Sequence, residues 1–333
     1  MKPKKSGLIL QPAPWLRSSP TTPAAMRQVI YALVPLVISA VWWFGLSALL
    51  VLLAAVTGSL MTEWLFTQGP DRGQSLHDLS AALTGLLLGL SLPPGLPLWM
   101  AFLGGAASIG LGKLIWGGLG QNPFNPALVG RAFLLAAFPA AMTTWHPPKG
   151  PDSFFDVIPS NLALPLAQPT FDALSAATPL GLMKFQHQAT PLSELMFGNT
   201  AGCFGETNGV LILLAGLYLV WQHSIDWRIP VAVLASATAL AALLHLADAH
   251  RAPPLVALFS GGLLFGAVFM ATDPVTSPLS PKGAWLFGTG IGLLAILIRA
   301  YGGYPEGIMY AILLMNGATP LIERATQPRP FGR

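Results

Sequence analysis

Thr84–Gly89 reads TGLLLG and Gly261–Gly266 reads GGLLFG, identical at four of six positions. Each is followed by a proline-rich break, SLPPGLP at 91–97 and DPVTSPLSP at 273–281. Each break leads into a glycine-rich apolar segment and then a glycine-rich turn, GGLGQNPFNP at 117–126 and YGGYPEG at 301–307, before one last apolar segment. The same order of segment, break, segment, turn and segment thus occurs twice. Repeated halves with hydrophobic segments interrupted by Gly and Pro are the plan of many membrane transport folds.

Composition agrees. Of 333 residues, 53% are hydrophobic and only 9% charged, against about 25% charged in a soluble domain. The 35 Gly and 31 Pro suit membrane helices, which tolerate both better than soluble helices do. The expected fold class is an all-α polytopic membrane protein. The net charge of +4 comes from scattered basic residues, so no nucleic acid is expected as a partner, whereas membrane lipid is.

A spanning helix needs about 20 apolar residues. Ten candidates are read at 26–44, 47–67, 77–93, 96–116, 125–143, 207–222, 229–247, 254–272, 283–300 and 306–323. They group into two five-helix repeats, 26–143 and 207–323, flanked by an N-terminal segment 1–25 and a tail 324–333. The one long polar loop, 144–206, separates them. Five spans per half is odd, so the second half would be inserted inverted. An even total puts both termini on one side. If that side is the cytoplasm, four of the 17 basic residues, Lys149, Lys184, Arg251 and Arg299, lie opposite and the other thirteen lie inside. That is the direction the positive-inside rule requires. The expected location is a bacterial inner membrane, with cytoplasmic termini and a periplasmic 144–206 loop. No signal peptide is read at the N-terminus, where the apolar run LIL is too short, so the first helix is expected to act as an uncleaved insertion signal.

Charges in or beside the spans are Glu63, Asp78, Lys113, Arg131, Asp273, Arg299, Glu306 and Glu323. A charge at the bilayer centre costs about 2.5–3.5 kcal/mol on insertion scales, so such residues face a partner or water. Most of these fall near span ends and read as interfacial anchors. Arg131 and Glu306 differ, because each opens a helix behind a Gly/Pro turn at the matching place in its half. These two read as cavity or cofactor neighbours. The six His show no metal spacing, and the single cysteine, Cys203, reads as a small packing residue; no metal site is expected.

Within the polar loop stands DALSAATPL, Asp172–Leu180. ATPL occurs three times, at 177–180, 189–192 and 318–321, but only the first copy has Ser three residues and Asp six residues before the Thr. The other copies carry His187 and Lys184, or Asn316 and Leu313, at those places. Thr178 is therefore distinguished by Asp172 and Ser175, not by its proline.

The stretches DALSAATPL, NPALVGRAF at 125–133, GETN at 205–208, ATDPVTSP at 271–278, PEGIMYAILLMN at 305–316 and PLIE at 320–323 lie in order along most of the chain. In them the chain resembles the family that unites RnfD of the Rnf electron-transport complex with NqrB of the sodium-pumping NADH:quinone reductase. Its length favours the Rnf side. The resemblance implies that Thr178 is the acceptor of a covalent FMN, joined through its phosphate by a dedicated flavin transferase. Asp172, Ser175 and Ala177 belong to the recognition signature, in which Ala176 stands where family members commonly have Gly. Glu206, within GETN, joins Arg131 and Glu306 as a candidate flavin or cavity neighbour. The resemblance further implies a second, non-covalent flavin, riboflavin, and five partners, Rnf subunits A, B, C, E and G. The implied role is an electron relay between ferredoxin and NAD coupled to Na⁺ or H⁺ movement, with no complete active site on this chain alone. This chain has no G-x-G-x-x-G nucleotide fingerprint and no cysteine set for a cluster, so those sites would lie on partners. Three alternatives stand beside this reading: the quinone-reductase type of subunit, an inverted-repeat transporter without redox chemistry, and a structural anchor that only docks partners.

Overall fold

The computed structural model describes residues 21–67, 72–150, 154–165, 177–248, 251–303 and 306–327; Asp172 and Ser175 lie outside them. Among these residues there are helices and turns and no strand. The first half comprises α1 (Thr22–Phe44), α2 (Leu46–Phe66), α3 (Arg72–His77), α4 (Ser80–Leu90), α5 (Leu98–Gly112), α6 (Pro126–Ala137) and α7 (Pro139–Met142). The polar loop carries α8 (Pro179–Gly181), a π turn at Leu182–Gln186, and α9 (Leu192–Phe197). The second half holds α10 (Gly209–Trp221), α11 (Arg228–Ala247), α12 (Pro254–Phe259), α13 (Leu263–Phe265), a π turn at Gly266–Met270, α14 (Pro281–Tyr301) and α15 (Ile308–Thr326).

Among the described residues five helical stretches have the length and apolarity to cross a membrane: Thr22–Phe44, Leu46–Phe66, Leu98–Trp116, Arg228–Ala247 and Pro281–Tyr301. Three more apolar helices, α4, α6 and α10, are shorter. The sequence reading gives each of those a full span. The difference lies in helix boundaries set by capping and by proline. Asn125 ends the preceding turn by accepting the N–H groups of Ala127 and Leu128 on its side-chain oxygen at 3.0 and 3.4 Å. Pro139 restarts the chain as α7, because proline cannot donate to the preceding turn. The stretch 254–272, read as one span, is broken at Ser260–Gly262 between α12 and α13. Gly261 there has φ +62°, a conformation that L side chains rarely adopt.

Packing repeats across the halves. Helix α2 lies along α5 as α11 lies along α14, and α5 meets α6 as α14 meets α15. Both long pairs use glycine to bring backbones together, as membrane helices do in the absence of a hydrophobic drive between them. A Cβ at Gly105 would stand 2.2 Å from the Ala55 carbonyl oxygen of α2, and one at Gly292 would stand 2.4 Å from the Val233 carbonyl oxygen of α11. A backbone carbonyl cannot swing aside as a side chain can. Gly105→Ala and Gly292→Ala are therefore expected to lose roughly 1–3 kcal/mol each through overpacking, read as a lower thermal midpoint in detergent. Gly303→Ala, with nothing within 4 Å of its added Cβ, should leave the midpoint unchanged.

The halves are joined at their centre. Helix α1 packs on α10. The Asn125 side-chain amide donates to the Met270 carbonyl at 3.0 Å, linking the start of α6 to the end of the second π turn. Phe204 is fully buried and meets Phe44 edge-on at 5.5 Å.

Candidate functional site

Three segments far apart in sequence meet around one guanidinium. Arg131 sits on the inner face of α6, within two turns of its Asn125 cap, and is 6% exposed. Its Nη2 donates to Glu306 Oε2 at 2.5 Å, and its Nη1 donates to Glu206 Oε1 at 3.3 Å. Glu206 is also 6% exposed and lies in the turn before α10, whose Asn208 cap accepts the Leu211 N–H at 3.1 Å. Glu306 lies just ahead of α15. The fourth member is Cys203, fully buried, with Sγ 3.5 Å from Arg131 Nη2. Cys203, Glu206 and Glu306 place their ligand atoms within 4.8 Å of one another, but the guanidinium already occupies their common focus. The set is thus an ion-pair cluster in which two carboxylates share one cation. Burial, and next the charge of Glu306, push the Glu206 carboxyl up to about 7 against the opposing pull of Arg131.

Thr178 faces the same cluster. It is half-buried, extended at φ −69° and ψ 155°, and caps α8 by accepting the Gly181 N–H on Oγ1 at 3.1 Å. Proline at the first helical position and Thr at the cap form a standard helix start. A crevice of about 20 Å³, room for roughly one water, is lined by Thr178, Leu180, Thr200, Glu206, Gly261 and Glu306 among others. The structure thus gathers Arg131, Glu206 and Glu306 into direct contact and sets Thr178 on the same crevice. Ala177 is exposed beside it. The other two ATPL threonines are placed differently. Thr319 is buried inside α15 and donates to the Thr276 and Met315 carbonyls, and the Thr190 hydroxyl is enclosed without a hydrogen-bond partner among the described residues.

One cluster departs from the sequence reading. Glu63 and Lys113, expected as interfacial anchors, are buried and paired. Lys113 Nζ donates to Glu63 Oε1 at 2.5 Å and to Ser80 Oγ at 2.7 Å, with Asp78 Oδ2 at 3.9 Å. Ser75 also donates to Glu63. These polar neighbours replace the water an interfacial position would supply, which is why both charges can sit inside. Position in the span carries no signal for this; only a fold that brings α2, α4 and α5 together does.

The arrangement is that of a polytopic all-α membrane protein with a buried, paired charge cluster and a loop threonine beside it. The chain belongs to the NQR2, RnfD, RnfE family, which it matches over residues 9–332. Among its relatives, the D subunit of the ion-translocating oxidoreductase complex of Alcanivorax borkumensis is 40% identical over 335 residues, covering 98% of this chain and 97% of that protein. The D subunit of the proton-translocating ferredoxin:NAD(+) oxidoreductase complex of Clostridium ljungdahlii is 37% identical over 340 residues, covering 99% and 97%. The D subunit of the Na(+)-translocating ferredoxin:NAD(+) oxidoreductase complex of Acetobacterium woodii is 40% identical over 329 residues, covering 98% and 95%.

Proposed function

We propose that this chain is the membrane-embedded RnfD subunit of an Rnf-type complex. In this reading it relays electrons between ferredoxin and NAD through an FMN bound covalently at Thr178, and the relay is coupled to ion movement across the inner membrane. The near-complete match to relatives bearing those names supports membership of such a complex. Relatives named for protons and for sodium are 37% and 40% identical, so overall likeness leaves both H⁺ and Na⁺ as coupling ions. The partners proposed are Rnf subunits A, B, C, E and G, with a flavin transferase for maturation. Inverted insertion of the two halves, with Thr178 on the periplasmic face, completes the reading.

The observation that carries the site is the setting of Thr178. Its Oγ1 accepts one N–H at the edge of a crevice, so its own proton and second lone pair remain available. A loop threonine accessible from one side fits a hydroxyl that another enzyme must reach. The crevice is too small for a tricyclic ring, so a group joined to Oγ1 must extend away from it. A bound flavin supplies one- and two-electron redox chemistry. The chain's own contribution is to anchor it, and to hold the paired charges of Arg131, Glu206 and Glu306 beside the anchor. The test is the wild-type chain co-expressed with a flavin transferase, denatured and run on a gel under ultraviolet light. A fluorescent band at the mass of the chain is expected; a dark lane overturns the reading.

A further inference from the structure

Arg299 is a second buried guanidinium, apart from the Arg131 cluster. It lies in the last turn of α14 and is 9% exposed. Nη1 donates to the Ala257 carbonyl at 2.6 Å and Nη2 to the Ser260 carbonyl at 3.0 Å, bracing the break after α12. Among the described residues no carboxylate lies within 4.0 Å of it, and its Nε is buried without a hydrogen-bond partner. Burying a cation is unfavourable unless it is paired, and a neutral carbonyl pair compensates only part of that.

Arg299 borders a cavity of about 260 Å³ between the C-terminal ends of α11 and α14. Two more cations line it. Lys184 comes from the polar loop and donates to the Arg299 and Gly302 carbonyls. Arg251 pairs with Asp248 at 3.5 Å and stacks over the exposed Tyr301 ring at 5.0 Å. Asp248 is the one carboxylate in the lining, so the cavity is cationic overall. Apart from His187 its remaining wall is apolar, with Leu180, Met183, Leu244 and Ile296. Both α11 and α14 are long enough to span a membrane, so their ends mark the level where hydrocarbon gives way to water. An exposed Tyr beside Arg is the usual furnishing of that level. Below it Leu243 and Leu297 face outward, offering a track for an acyl chain.

We propose that this cavity binds the phosphodiester headgroup of an anionic phospholipid, with Arg299 as its inner contact and Lys184 and Arg251 at its mouth. The ligand chemistry is a phosphate-bearing anion with an apolar tail. An anion of this kind gives the buried guanidinium a counter-charge in direct contact, whereas Glu206 and Glu306 act on it only from beyond 4.0 Å. The lipid site does not depend on a flavin at Thr178, and the two are tested separately.

The purified chain in detergent is titrated with short-chain phosphatidylglycerol, with phosphatidylcholine of the same chain length, and with inorganic phosphate, reading the thermal midpoint and native mass. Phosphatidylglycerol should raise the midpoint and remain bound on desolvation, at least tenfold tighter than phosphatidylcholine. Inorganic phosphate alone should give a smaller shift. Lys184→Gln with Arg251→Gln, at the cavity mouth, should weaken binding about tenfold even if Arg299→Gln fails to fold. Equal response to both lipids, or binding unchanged in the mouth variant, overturns the proposal. So does a shift as large with inorganic phosphate as with phosphatidylglycerol, which would make the site one for a free anion. Lipid binding to Thr178→Val protein but not to flavin-loaded protein also overturns it, because the cavity then belongs to the flavin.

Discussion

Thr178→Val is expected to remove the fluorescent flavin band completely while the chain stays folded. Valine keeps the size and the β-branch of threonine, and a β-branched residue before proline suits the extended backbone observed at φ −69° and ψ 155°. What is lost is the oxygen, both the proposed attachment point and the acceptor for the Gly181 N–H. Losing a helix cap costs about 1 kcal/mol, and α8 has only three residues, so fold and expression should change little. The internal copies supply controls. Thr190→Val and Thr319→Val should keep the full band, since neither threonine has an aspartate and a serine at the matching spacing. The measurement is band intensity per unit of protein after denaturation. Undiminished fluorescence from Thr178→Val would move the attachment elsewhere and leave the crevice beside Glu206 and Glu306 without its assigned role.

The contrast between Thr178 and Arg131 shows what a single sequence can carry. Hydrophobic length marks α1, α2, α5, α11 and α14 clearly, because twenty apolar residues have few other uses in a chain so poor in charge. The short helices are harder. In α4, α6 and α10 apolar composition runs past the helix into turns, which are side-chain capped at the starts of α6 and α10, so the hydrophobic stretch overstates the helix. Arg131 and Glu306 stand out in the sequence because each follows a Gly/Pro turn, and the fold brings the two into contact. Glu63 and Lys113 are not. They are 50 residues apart, and nothing local says that their helices pack with both charges inward. Arg299 shows the same limit: its carbonyl partners come from a helix break that hydropathy reads as one continuous span. Asp172 and Ser175 rest on the signature itself, since they lie outside the described residues.

Arg131→Met should be the most damaging single substitution at the centre of the molecule. Methionine fills much of the arginine volume but leaves Glu206 and Glu306 facing each other without their shared cation. Removing one partner of a buried ion pair costs about 3–5 kcal/mol, enough to threaten folding outright. The pH dependence identifies the cause. Burial already pushes the Glu206 carboxyl up to about 7, and Arg131 opposes that shift; without the guanidinium it must rise further. A carboxyl whose folded-state pKa lies above its unfolded value favours folding below the unfolded pKa, and that advantage is lost as pH rises through the folded one. The deficit of Arg131→Met relative to wild type should therefore be small near the ordinary carboxylate pKa of about 4.3 and grow as pH rises through about 7. Adding Glu206→Gln removes the charge that cannot be accommodated, so the double variant should recover part of the thermal midpoint and lose most of the pH slope. A deficit independent of pH, or a double variant no better than the single one, would mean that Arg131 acts through packing alone and that the shared-cation account of the cluster is wrong.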